Sequence, residues 1–148
     1  MKLAMIEASK AYRKDEVPVG AVIVERRTGK IIAKTHNLVQ KRKSTLAHAE
    51  ILAIEKACKK LKKKYLFDCD LYVTLEPCTM CTGAISNAKI GHLYFGAEDQ
   101  KTGAVINGIK FFNKKTCTHK PLITHGLMEN ESSKLLKDFF RTKRKSGV

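Results

Sequence analysis

The chain has 148 residues, with 29 Lys plus Arg against 14 Asp plus Glu and a formal net charge of +15. That length suits one domain, residues 1–148, burying about 70% of its extended surface, and a 43% hydrophobic content is too high for a disordered basic tail. No run of about 18 apolar residues occurs, and Glu7 and Lys10 interrupt the start, so neither a membrane span nor a signal peptide is expected. The composition implies a soluble, cytoplasmic, basic domain with nucleic acid as the first candidate partner; a solvated lysine-rich surface is the alternative reading.

Residues 2–14 place Leu3, Ile6, Ala8, Ala11 and Tyr12 among polar residues, the pattern of an amphipathic helix. Val17-Pro18-Val19-Gly20 interrupts it. The apolar run Ala21-Val22-Ile23-Val24 predicts a buried strand. Arg26-Arg27-Thr28-Gly29 reads as a hairpin turn, with a return strand over residues 30–34. The polar stretch 41–45 reads as a loop. From Ala47 the period changes: Ile51, Ile54, Cys58 and Leu61 define one apolar helical face. The lysines from Lys59 to Lys64 complement the negative end of that helix, which favours a solvated structural role for them.

Leu71-Tyr72-Val73-Thr74-Leu75 predicts a third strand. Pro77 is expected to open a short helix running to about Ala88. His92-Leu93-Tyr94-Phe95 predicts a fourth strand, ended by Gly96. Residues 104–119 hold a short helix around Phe111-Phe112, and Leu122-Ile123-Thr124 a short fifth strand. A last helix is expected from about Glu131, with Leu135, Leu136, Phe139 and Phe140 docking on the body. A hairpin followed by alternating helices and strands implies an α/β sandwich with a mixed sheet.

Five cysteines, an odd count without a secretory signal, argue for a reducing compartment. Cys58, Cys69 and Cys117 stand singly and read as small buried hydrophobes. Cys78 and Cys81 are three residues apart, so both thiols can face one side of a first helical turn. The N–H groups and dipole of a helix start favour thiolate, the form that binds zinc. His48, at the start of the preceding helix, completes a His-Cys-Cys set. Three protein ligands leave a position for water, as in catalytic zinc; a structural site would need a fourth ligand. Glu50, two residues from His48, is placed to carry the proton of an activated water.

His48-Ala49-Glu50 followed by Pro77-Cys78-Thr79-Met80-Cys81 resembles the pattern of the zinc-dependent deaminases of the cytidine/deoxycytidylate deaminase superfamily. The zinc motifs alone leave guanine and cytosine deaminases open. The wider sequence is similar to the bacterial tRNA-specific adenosine deaminases over nearly its whole length. The matching segments are Asp15 to Val22, Asn37, Ala47 to Glu50, Leu71 to Cys78, Met80-Cys81, Gly83-Ala84, Phe95-Gly96-Ala97, Lys101-Thr102-Gly103-Ala104 and Asp138-Phe139-Phe140-Arg141.

The resemblance implies a cytidine-deaminase-like three-layer α/β/α sandwich with a central mixed five-stranded sheet. It implies one Zn2+ per chain on His48, Cys78 and Cys81, Glu50 as proton shuttle, and Asn37 bonded to the purine ring. The implied reaction is hydrolytic deamination of a wobble adenosine to inosine in a tRNA anticodon stem-loop, by a homodimer. Lys101, Arg141, Lys143 and Arg144 are candidate phosphate contacts. A free-base deaminase and a structural-zinc RNA-binding module are the rival readings.

The chain departs from the family at Ser44-Thr45-Leu46, where Asp-Pro-Thr is usual. His125 replaces a common acidic residue, and the hairpin at residues 26–29 is slightly long.

Overall fold

The computed structural model describes residues 1–145. The chain opens with α1 (Lys2–Arg13) and a hairpin of β1 (Gly20–Glu25) and β2 (Ile31–His36). A single turn, α2 (Val39–Arg42), leads into α3 (Ala49–Leu61) and β3 (Cys69–Leu75). α4 (Thr79–Asn87) connects to β4 (His92–Ala97). A long loop with a 3-10 turn at Phe111–Asn113 reaches β5 (Leu122–His125), and α5 (Glu129–Lys145) follows. No helix of the described residues is long and apolar enough to cross a membrane.

The strands form one mixed sheet in the order β2-β1-β3-β4-β5. β1 runs antiparallel to β2 and β3, while β3, β4 and β5 are parallel. This is the expected five-stranded α/β architecture. Register follows from side-chain alternation. Ala21 pairs with Val73 and Ile23 with Leu71, and Leu71 and Val73 pair in turn with Leu93 and Phe95. These six residues therefore share one sheet face, and all are buried.

That face receives α3 and α4. Ala49, Ala53 and Ala57 recur every four residues along α3 and are fully buried, so the small side chains bring this helix close to the sheet. The opposite face receives α1 and α5. Gly20 allows the close approach of α1, because a Cβ there would overlap the Ala4 carbonyl. The Ser132 hydroxyl donates to the Thr74 carbonyl at 2.6 Å and seats α5 over β3.

Several local expectations are revised. Part of the predicted loop is helical: the Gln40 and Lys41 N–H groups donate to the buried Glu16 carboxylate at 2.9 and 2.8 Å, which caps α2 from a distant segment. Pro77 lies outside α4, whose N-cap is Cys78. Of the three single cysteines only Cys69 is buried; Cys58 and Cys117 are half-buried. In the lysine cluster after α3, Lys63 pairs with Asp68 at 3.6 Å and Lys64 sits over the Tyr65 ring.

Candidate active site

Two helix starts converge at one end of the sheet. His48 is the N-cap of α3 and Cys78 the N-cap of α4, both with extended backbone, and Cys81 lies in the first turn of α4. His48 Nδ1 stands 3.7 Å from Cys78 Sγ and 3.6 Å from Cys81 Sγ. The three potential ligand atoms all lie within 4.8 Å of one another. A tetrahedral centre with a Zn–N bond of about 2.0 Å and Zn–S bonds of about 2.3 Å separates nitrogen from sulfur by about 3.5 Å. The spacing and the soft N/S donor set both fit zinc. Among the described residues no fourth His, Cys, Asp or Glu joins the cluster.

The electrostatics match a cation site. Cys81 hydrogen-bonds to Cys78 and, with His48, holds the Cys78 thiol down to about 4. The same bond, together with burial, pushes the Cys81 thiol up. The two sulfurs thus share one proton, which a divalent cation would displace. Bonding to Cys78 raises the His48 imidazole above its ordinary value, against the effect of burial. Glu50, in the first turn of α3, is buried; desolvation first, with the Cys78 charge adding, pushes its carboxyl up to about 7. A carboxyl of that kind can take and return a proton near neutral pH.

His48, Glu50 and Cys78 open into a cavity of about 1200 Å³. Asn37, the residue immediately after β2, lines it as well. Its Oδ1 accepts from the Ala49 N–H at 2.8 Å, an acceptor for one of the unpaired donors at the α3 start. That bond fixes which end of the amide is oxygen and leaves Nδ2–H2 for the cavity.

Two further carboxylates hold the cavity walls. Glu16 caps α2, as described above. Glu76, 2% exposed, accepts five hydrogen bonds: Oε1 from the Asp99 N–H and Asn107 Nδ2, and Oε2 from the Val105, Ile106 and Asn107 N–H groups. Burial works against its charge, but these donors outweigh it and hold the carboxyl below its ordinary value. Asp99 extends the clamp by accepting from the Lys101 and Thr102 N–H groups. Gly103 fits against this clamp because a Cβ there would overlap the Asp99 carbonyl and the Glu76 carboxylate. The Lys101-Thr102-Gly103-Ala104 segment is therefore first a wall of the cavity, bridged to Cys78 at Gly103.

Sequence reasoning left Glu16 and Glu76 without a role. Their partners lie 23 to 31 residues away, and the only local signal was an acidic residue beside each motif.

The candidate phosphate contacts do not cluster. Lys143 lines the cavity and pairs with Asp15. Arg141 pairs with Asp138 at 2.8 Å. Lys101 and Arg144 are exposed. Phe139 docks as expected, edge-on to Tyr12, but Phe140 does not: it is 44% exposed and lines the cavity with Leu136.

Residues 1–144 match the family model of the MafB19-like deaminases. A tRNA-specific adenosine deaminase of Agrobacterium fabrum is 50% identical over 97% of this chain and 93% of its own length. A solved structure from studies of A-to-I editing by tRNA:A34 deaminases at the wobble position superposes with a TM-score of 0.89. It is 49% identical, covering 92% of this chain and 97% of the other. A guanine deaminase of Bacillus subtilis is more distant, 32% identical with a TM-score of 0.63 over 97% of this chain and 90% of its own. The protein belongs to the MafB19-like deaminases and to the family of the tRNA-specific adenosine deaminases.

Proposed function

We propose that this protein converts adenosine to inosine by hydrolytic deamination, at the wobble position of a tRNA anticodon loop. The observation that carries the chemistry is the His48, Cys78 and Cys81 cluster opening with buried Glu50 into one cavity. The substrate class is supported by the likeness to tRNA-specific adenosine deaminases and by the +15 charge.

His48, Cys78 and Cys81 would hold one zinc ion, which lowers the pKa of a water toward about 7 and supplies a nucleophile at neutral pH. Glu50 takes the proton of that water and passes it to N1 of adenine as C6 is attacked. Glu50 then carries the second proton to the departing amine, so that ammonia leaves and the C6 carbonyl of inosine remains. Its burial suits this double use, because a carboxyl raised to about 7 is neither a fixed anion nor a fixed acid.

Asn37 Nδ2 donates to an acceptor on the purine ring, while its Oδ1 stays on the α3 start. The exposed Phe140 ring offers a face to an unstacked base, consistent with a single-stranded loop as substrate. A cytoplasmic homodimer accompanies this reading.

The test is to offer the protein an anticodon stem-loop, free adenosine, guanine and cytosine side by side. Conversion confined to the adenosine of the stem-loop is expected. Equal or faster conversion of a free base refutes the RNA assignment.

A further inference from the structure

A second cleft, of about 490 Å³, lies on the far side of the wall that bounds the catalytic cavity. The wall is the segment from the end of β2 through α2. His36, Leu38 and Arg42 face the second cleft, whereas Asn37, Val39, Gln40 and Lys41 face the catalytic cavity. One short segment thus separates the two openings.

The cleft is strongly cationic. Lys34 from β2, Arg42 from α2, and Lys56 and Lys59 from the outer face of α3 line it, and all four are exposed. None of the four makes an ion pair or side-chain hydrogen bond with another described residue. Two acidic residues also line it. Glu7 is already bonded to Lys10 at 2.7 Å and to His36 at 3.0 Å, which leaves Glu55 against four cations. The wall itself adds exposed Lys41 and Lys43. Four cations from three elements, held around a concavity with one acidic residue to offset them, form a site for phosphate groups.

We propose that this cleft binds the phosphodiester backbone of the RNA strand next to the target nucleotide. The assignment rests on the RNA reading given above. A strand whose base enters the catalytic cavity can cross α2, over Lys41 and Lys43, and set its adjoining phosphates among Lys34, Arg42, Lys56 and Lys59. The cleft contributes affinity and placement, without reading sequence, because phosphate contacts fix register but carry no base information.

The test compares two charge reversals of equal size. Lys56→Glu with Lys59→Glu reverses the cleft, and Lys114→Glu with Lys115→Glu reverses exposed lysines elsewhere. On an anticodon stem-loop at low salt, the cleft variant should lose about tenfold or more in kcat/KM relative to the control variant. The loss should fall in KM, and the log–log salt slope should flatten by about one or more. Stem-loop binding by fluorescence anisotropy should weaken in parallel, a readout that holds even if the wild-type protein deaminates another substrate. Equal losses in the two variants, or none in either, overturn the proposal. So does inorganic phosphate that occupies the cleft at matched ionic strength without displacing the stem-loop, because that marks a site for free phosphate alone.

Discussion

Replacing Glu76 with Gln tests how the cavity is built. The carboxylate accepts from four main-chain N–H groups and from Asn107 Nδ2. A glutamine keeps the shape but turns one oxygen into a donor. If its carbonyl stays with the three N–H groups of Val105, Ile106 and Asn107, its NH2 faces Asp99 N–H and Asn107 Nδ2. Two charge-assisted bonds are lost, and at roughly 1.5–3 kcal/mol each the cost is about 3–6 kcal/mol. For a domain of this size about 1 kcal/mol moves Tm by 2–4 °C, so a fall of about 10 °C is expected. The loop can limit the loss by opening to water, and then the damage appears as mobility of residues 99–107.

Thermal unfolding together with amide hydrogen exchange reads both outcomes. The Glu76→Gln protein should show a lowered Tm, faster exchange over residues 99–107, and reduced kcat/KM. Tm within about 2 °C of wild type and unchanged exchange in that loop would refute the clamp.

Two further outcomes check the site and the packing. Glu50→Ala should retain bound zinc, because Glu50 is outside the ligand cluster, and lose turnover at least a hundredfold; turnover within about tenfold of wild type rules Glu50 out as the proton carrier. Lys10 and His36 hold the Glu7 carboxyl below its ordinary value of 4.5 in spite of its burial. A depressed folded value means that the stabilisation is fully present above about 4.5 and is lost as the pH falls through the folded value. Urea unfolding between about pH 6 and pH 3 should therefore show an acid-side loss of stability that is shallower in Glu7→Gln; superimposable acid limbs contradict this.

What could be read from the sequence was local. The three- and four-residue spacing of Ile51, Ile54, Cys58 and Leu61, the β-branched run of β1, and the three-residue spacing of Cys78 and Cys81 each act through neighbouring residues, and α3, β1 and α4 formed where expected. Of those four α3 residues, however, only Ile54 is buried, and the fully buried positions against the sheet are Ala49, Ala53 and Ala57. The His48, Cys78 and Cys81 cluster was legible because a His and a Cys-x-x-Cys each mark a helix start. The long-range pieces were not. α2 looked like a loop because its cap is Glu16, 24 and 25 residues away. Lys101-Thr102-Gly103-Ala104 invited an RNA role on account of its lysine, whereas the glycine and the Glu76 clamp explain its backbone. Phe140 belongs to an apolar stripe in sequence, yet of the two rings that α5 brings to the cavity wall Phe139 is buried and Phe140 is left exposed.

If His48, Cys78 and Cys81 hold a metal that the reaction requires, turnover depends on that metal. The direct measurement follows inosine formation in an anticodon stem-loop as the protein is stripped with a chelator and then given one equivalent of zinc, with folding monitored by circular dichroism. Activity should vanish on stripping and return with the zinc. Full activity in protein that is folded and free of metal would show that the reaction needs no metal at this cluster.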